Sequence, residues 1–210
     1  MSRLYDPTLF SLYSLIGLLW TALAFYLMFS ARGRRWLSNP WSILVAGVAL
    51  AVALRIVTAQ IGVLTELSGG IKPLDVQYAY GHEDITAFAD ALGANGRRAY
   101  AMFQLGQDAL APPAFACFLM AFYRTTIRPV AVQLLCTVLA FIYLIAVLIA
   151  NNLMPVIMLN FPATDMPPLP LLYRLVPFAD TIKYTIHGIA WLVIIATWLA
   201  QAVKRWRRRG

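Results

Sequence analysis

Gly96–Asp108, GRRAYAMFQLGQD, takes the chain out of a polar connection and into an apolar helix, and carries polar groups in with it. Arg97, Tyr100, Gln104 and then Gln107 or Asp108 recur at steps of three or four, so a helix places them on one face. Pro112 and Pro113 follow one turn later. Everything around this stretch fits a membrane helix with a polar stripe.

The 210 residues are 61% hydrophobic and only 12% charged, and the mean hydropathy is +0.70. A soluble domain carries about 25% charged residues, so a membrane bundle fits and a soluble or disordered chain does not. Residues 8–30, 41–65, 99–123, 129–150 and 178–202 are apolar runs. Each is long enough to cross a hydrocarbon core of about 30 Å at about 1.5 Å per residue. The expectation is an all-α integral membrane bundle of five transmembrane helices, with residues 1–210 forming a single domain. The first run does not read as a cleavable signal peptide. It is too long, lacks a basic leader, and ends in Arg32, Arg34 and Arg35. No internal repeat divides the five spans into inverted halves, so the usual mark of a secondary transporter is missing.

Five spans put the two termini on opposite sides, and the charges say which is which. Connections 31–40 and 124–128 and the tail 203–210 hold Arg32, Arg34, Arg35, Arg124, Arg128, Lys204, Arg205, Arg207, Arg208 and Arg209, with no acidic residue. Asp6, Glu66, Asp75, Glu83, Asp84, Asp90, Asp108, Asp165 and Asp180 all fall toward the other side. The positive-inside rule then predicts an outer N-terminus and a cytoplasmic C-terminus. This placement accounts for the net charge of +8, so no nucleic-acid partner is expected. The basic tail reads as a topology determinant or, more sharply, as an anionic-lipid site.

Two outer segments have their own character. Within 66–98, the run GHEDITAFADALGANG predicts a short amphipathic helix. Glu83 and Asp84 meet the helix dipole in its first turn, Ile85, Phe88, Ala89 and Leu92 form its apolar stripe, and Gly93 is its cap. Asn95-Gly96 predicts a further turn. His82, Glu83, Asp84 and Asp90 lack a zinc or calcium spacing, and no metal or other cofactor is expected. Residues 151–177 are apolar yet carry Pro155, Pro162, Pro167, Pro168, Pro170 and Pro177. That composition predicts a non-helical segment folded across the outer face, either a lid over a cavity or a packing surface. Met154, Met158 and Met166 read as gap-filling residues. Cys117 and Cys136 read as small apolar packing residues rather than a redox pair.

Inside the spans, helix rise puts Arg55, Asp108 and His187 at similar depths, about 14–15 Å from the outer side. Arg55 and Asp108 make the natural ion pair, structural or functional, because neither charge can stay isolated in hydrocarbon. Asp180, Lys183 or Tyr184, and His187 share one face of the fifth span, with Lys183 close enough to the interface to snorkel. Pro112 and Pro113 cannot donate to the carbonyls of Asp108 and Ala109, which predicts a kink beside the cluster. The candidate ligand-binding set is Arg55, Arg97, Tyr100, Gln104, Asp108, Asn152, Lys183 and His187.

The chain resembles a diffuse group of small, functionally uncharacterised bacterial polytopic membrane proteins. The pattern is Gly-Arg-Arg-x-Tyr entering a helix, an Asp eight residues after the Tyr, and a Pro four later. Here these are Gly96, Arg97, Arg98, Tyr100, Asp108 and Pro112. The similarity extends to Asn152 and Lys183, and departs at Asn151, where an acidic residue is expected. It implies a multi-pass protein of the cell membrane, the inner membrane in a bacterium, and supports a site without naming an activity.

Three function classes fit. The first is binding or handling of a membrane-dissolved amphiphile, such as a lipid, isoprenoid or quinone. An enzymatic version, a lipid-modifying enzyme, would use His187, Asp108 or Asp180 as acid or base, yet no catalytic signature is present. The second is an accessory or assembly subunit of a larger membrane complex, or a homo-oligomer. The third is a channel or transporter, for which one polar half gives no continuous path.

Overall fold

A computed structural model describes residues 7–162 and 169–207 of the chain. Asp6, Asp165, Met166, Pro167, Pro168, Arg208 and Arg209 lie outside the described residues. Within them the fold is helical: α1 Pro7–Phe29, α2 Ala31–Leu37, α3 Trp41–Leu67, α4 His82–Leu105, α5 Ala111–Thr126, α6 Val130–Asn160 and α7 Leu169–Arg207. Single 3-10 turns occupy Leu74–Val76 and Asp108–Leu110. Five stretches are long and apolar enough to cross a membrane: Ser11–Phe29, Trp41–Leu67, His82–Thr126, Val130–Asn160 and Leu169–Lys204. Helices are the open-ended structure a bilayer accepts, because each satisfies its own backbone groups.

The third of these stretches is the axis of the bundle. Its most apolar window is 72% buried, against 17–33% for the other four. α4 and α5 therefore lie in the middle, with α3 and α1 against α5 and α6 against both. α7 packs mainly on α6.

This axis is broken, not kinked. α4 ends at Gly106, whose backbone (φ −110°, ψ −91°) leaves the helical region. After the Asp108–Leu110 turn, α5 starts afresh with Pro112 and Pro113 in its first turn. Prolines there need no donor, because first-turn N–H groups have no helical acceptor anyway. The expected proline kink is thus replaced by a glycine break with prolines starting the next helix. α1 braces the break. Ser14 donates to the freed Leu105 carbonyl at 2.9 Å, and Gly17 lies so close that a Cβ there would meet Ala109 Cβ at 2.8 Å.

The amphipathic helix before it forms as expected. Asp84 accepts from the Gly81 N–H at 2.7 Å, Ile85, Phe88, Ala89 and Leu92 are buried, and Gly93 has φ +62°. The chain then re-enters a helix directly, so Asn95-Gly96 forms no turn.

The proline-rich segment differs most from expectation. α6 continues through Pro155 to Asn160, and α7 begins at Leu169 and runs through Pro177. Their buried residues Ala150, Met154, Ile157, Met158, Leu172, Tyr173 and Val176 close over Ile85, Phe88, Ala89 and Leu92. Two prolines were absorbed because tertiary packing offsets one lost backbone hydrogen bond. Cys117 and Cys136 are free and buried in the opposite, apolar half of the core.

Candidate functional site

Apart from Ser42, the buried polar residues gather toward the end of the bundle that carries the 68–81 connection. Asp75, Gln104, Asp108, Asn151, Asp180 and Lys183 are all buried there. They come from one loop and from α4, the break, α6 and α7.

The loop contribution begins at the end of α3. Gly69 (φ +68°) and Gly70 (φ +100°) reverse the chain in a conformation that only glycine takes freely. Ser68 holds the turn through the Ile71 carbonyl at 2.5 Å. The chain then dips inward, so that Leu74 is fully covered and Asp75 is buried. Asp75 Oδ1 accepts from Tyr100 Oη at 2.7 Å. The Asp75 carbonyl accepts from Lys183 Nζ at 3.2 Å and from the Tyr184 hydroxyl. One loop residue thus ties α4 to α7. Burial holds the Asp75 carboxyl above the usual carboxylate range, against the pull of Lys183 and the Tyr100 hydrogen bond.

Tyr80, from the same connection, donates to Asp180 Oδ2. Burial, with the Asp180 carboxylate beside it, pushes the Tyr80 phenol above its ordinary range. Asp180 Oδ1 faces only the Lys183 ammonium, 2.6 Å away and one helical turn along α7. Lys183 also lies over the Tyr184 ring, 4.8 Å from its centroid. It therefore points into the bundle and does not snorkel: two oxygens and a π face compensate it better than a stretched route to water would.

On α4, Tyr100 is fully buried, edge-on to Phe88 at 5.0 Å between centroids. Gln104 Nε2 donates to Tyr100 Oη at 2.9 Å. Asp108 follows in the turn that replaces the helix, and its Oδ2 accepts from Asn151 Nδ2 at 2.7 Å. Asp75, Lys183 and Asp180 all act on Asp108 electrostatically. Pro155 removes the helical donor of the Asn151 carbonyl. Apart from Asp180 Oδ1, which has the Lys183 ammonium, two side-chain oxygens in this cluster, Gln104 Oε1 and Asn151 Oδ1, are buried and have no hydrogen-bond partner.

Of the residues named from the sequence, Tyr100, Gln104, Asp108 and Lys183 meet here. Four do not. Arg55 is exposed on α3, and Asp108 is held by Asn151, so the Arg55–Asp108 ion pair does not form. Asn152 is exposed and bonds back to the Leu148 carbonyl at 2.7 Å. Its neighbour Asn151, about 100° round the helix, is the buried one. Arg97 is half-buried, donating to the Ala89 carbonyl at 3.1 Å across the Gly93 break and lying over the Phe161 ring. His187 stacks on Phe115 at 4.5 Å, and its Nε2 accepts from Trp191 Nε1 at 2.7 Å. Both serve packing outside the carboxylate cluster.

Asp75, Tyr80, Asn151 and Asp180 complete the site. Asp180 was visible as a polar group on the Lys183 face. Asp75 and Tyr80 lie in a connection with no periodicity, and the clue there was an acid set between Leu74 and Val76.

Among the described residues, no group of three or more His, Cys, Asp or Glu side chains is placed to hold a metal ion. The arrangement can bind a cation or a hydrogen-bond donor, and it can hold protons on carboxyls. Comparison with known proteins adds no functional precedent: no protein-family model, no curated protein and no solved structure matches the chain.

Proposed function

We propose that this is a multi-pass membrane protein that holds the polar head of a membrane-dissolved amphiphile in the outer half of its bundle. The N-terminus lies outside and the C-terminus in the cytoplasm. The observation that carries the reading is the pair of unpartnered oxygens, Gln104 Oε1 and Asn151 Oδ1, in a cluster where the neighbouring polar groups are bonded. A buried acceptor left unmade costs about 1–3 kcal/mol. A ligand head that donates to both would remove that cost. The cluster adjoins the closed apolar core of Ile85, Phe88, Met154 and Val176.

Gentle purification in a non-ionic detergent, followed by extraction and mass spectrometry, tests this. A near-stoichiometric amphiphile is expected with the native chain, and its loss with Gln104→Leu and Asn151→Leu. A folded native chain that carries no such molecule, or variants that retain it, would overturn the reading. For the orientation, Tyr78→Cys and Arg207→Cys place thiols at two exposed positions. Labelling of the first from outside only, and of the second from inside only, is expected; the reverse pattern refutes it.

A further inference from the structure

We infer that the head group is a primary ammonium seated against Asp108, an inference that rests on the amphiphile reading above and names the ligand's chemistry. Three observations lead there.

The first is charge. Asp75, Asp108 and Asp180 are buried together, and Lys183 is the one buried cation among the described residues. Lys183 is committed to Asp180 and to the Asp75 carbonyl. With its carboxyls ionised the cluster therefore lacks positive charge, and an anionic head such as a phosphate or carboxylate alone would add to the deficit.

The second is donor supply. Asp180 receives the Tyr80 hydroxyl and the Lys183 ammonium, and Asp75 receives the Tyr100 hydroxyl. Asp108 has the amide of Asn151, a neutral donor, where a carboxylate accepts about four hydrogen bonds. Among the three it is the one without a hydroxyl or ammonium partner.

The third is the direction of the two amides. Asn151 must turn its NH₂ toward the Asp108 carboxylate, since its oxygen would be repelled there. Tyr100 gives its only proton to Asp75, so it can only accept from Gln104, and that fixes Gln104 Nε2 toward it. With Asp75 and Asp108 ionised, both unpartnered atoms are then acceptors. They belong to side chains only 2% and 4% exposed. A ligand that completes this set supplies several N–H or O–H donors and a positive charge at once. A quaternary ammonium brings charge without donors. An alcohol brings one donor without charge. A ketone or quinone brings neither. A primary ammonium brings three donors and one charge, the same chemistry that Lys183 already supplies on the other side of the cluster.

The test measures binding to the full chain in a non-ionic detergent with three probes of equal tail: dodecylamine, dodecyltrimethylammonium and dodecanol. Dodecylamine is expected to bind at least about tenfold more tightly than either of the others, a difference of about 1.4 kcal/mol. Asp108→Asn should bring dodecylamine binding down to that of dodecanol. Equal binding of dodecylamine and dodecyltrimethylammonium, or of dodecylamine and dodecanol, overturns the ammonium proposal and leaves the amphiphile reading standing. Failure of all three to bind folded native protein overturns both. The ranking is read on the native chain, so it holds even where the variant does not fold. Competition by nanodiscs of phosphatidylethanolamine, but not of phosphatidylcholine, assigns the ammonium to a lipid head; dodecylamine binding that neither lipid reduces assigns it to a free amine. Either result upholds the proposal.

Discussion

The two ends of the central helix pair are built on different physics. Around α5, Ala114, Ala116, Leu119, Met120 and Ala121 are fully or almost fully buried against α1, α3 and α6. That end is small residues fitted to large ones: a Cβ on Gly47 would lie 3.7 Å from the Phe118 ring. Around the second half of α4, the interior is Tyr100, Gln104, Asp108 and their partners. The apolar end is held by shape, and each of its contacts is replaceable by another of equal volume. The polar end is held by mutual satisfaction of charges and donors, so removing one member strands the others. A bundle needs only the first kind of packing to fold. The second is a standing cost, which the proposed ligand would offset.

Breaking one member at each end should separate the two mechanisms. The largest effect is expected for Lys183→Met. It leaves Asp180 and the Asp75 carbonyl without their cation, and about 3–5 kcal/mol of stability should go, as for other one-sided breaks of a buried ion pair. Thermal unfolding in detergent measures this, and the added change Asp180→Leu should restore part of it by removing the stranded charge. A cluster that relaxes into water would instead show a small loss and no rescue.

At the apolar end, Ala121→Leu should cost about 1–3 kcal/mol through overpacking, while the tenfold preference for dodecylamine stays unchanged. Loss of that preference would mean the two ends are coupled through α5 rather than independent.

The smallest effect is expected at Arg55. Because it is exposed and Asp108 is held by Asn151, Arg55→Gln should change stability by less than about 0.5 kcal/mol. Combined with Asp108→Asn, its effect should simply add. A coupling above about 1 kcal/mol in that double-mutant cycle would restore the ion pair that the fold does not form.

The polar stripe of the third span was legible because helical periodicity needs nothing but spacing. Tyr100 and Gln104 were readable together for that reason, and Lys183 with Asp180 likewise; Asp108 joins them from beyond the Gly106 break, which that spacing did not foresee. Arg55 and Asn152 misled for a related reason. Depth along a helix follows from residue count, but rotation about the axis does not. Arg55 has the right height and the wrong azimuth. Asn151 and Asn152 differ by one residue, so only the packing of α6 against α4 decides which is inside. The prolines at 155 and 177 misled because local preference weighs against them, while a buried helix end has neighbours that offset the loss.

The sequence by itself determined that there are five apolar helices, that polar groups enter the third, and where the amphipathic helix begins and ends. These follow from composition and short-range spacing, and the hydrocarbon's demand that backbone groups be satisfied leaves little else available. The tertiary structure alone decided that Asp75 and Tyr80 fold in from a loop, that Asn151 replaces Arg55 as the partner of Asp108, and that the axis breaks at Gly106. Those depend on how helices turn toward one another and on which carbonyls Ser14 and Lys183 can reach. No spacing within a single segment encodes a distance between two.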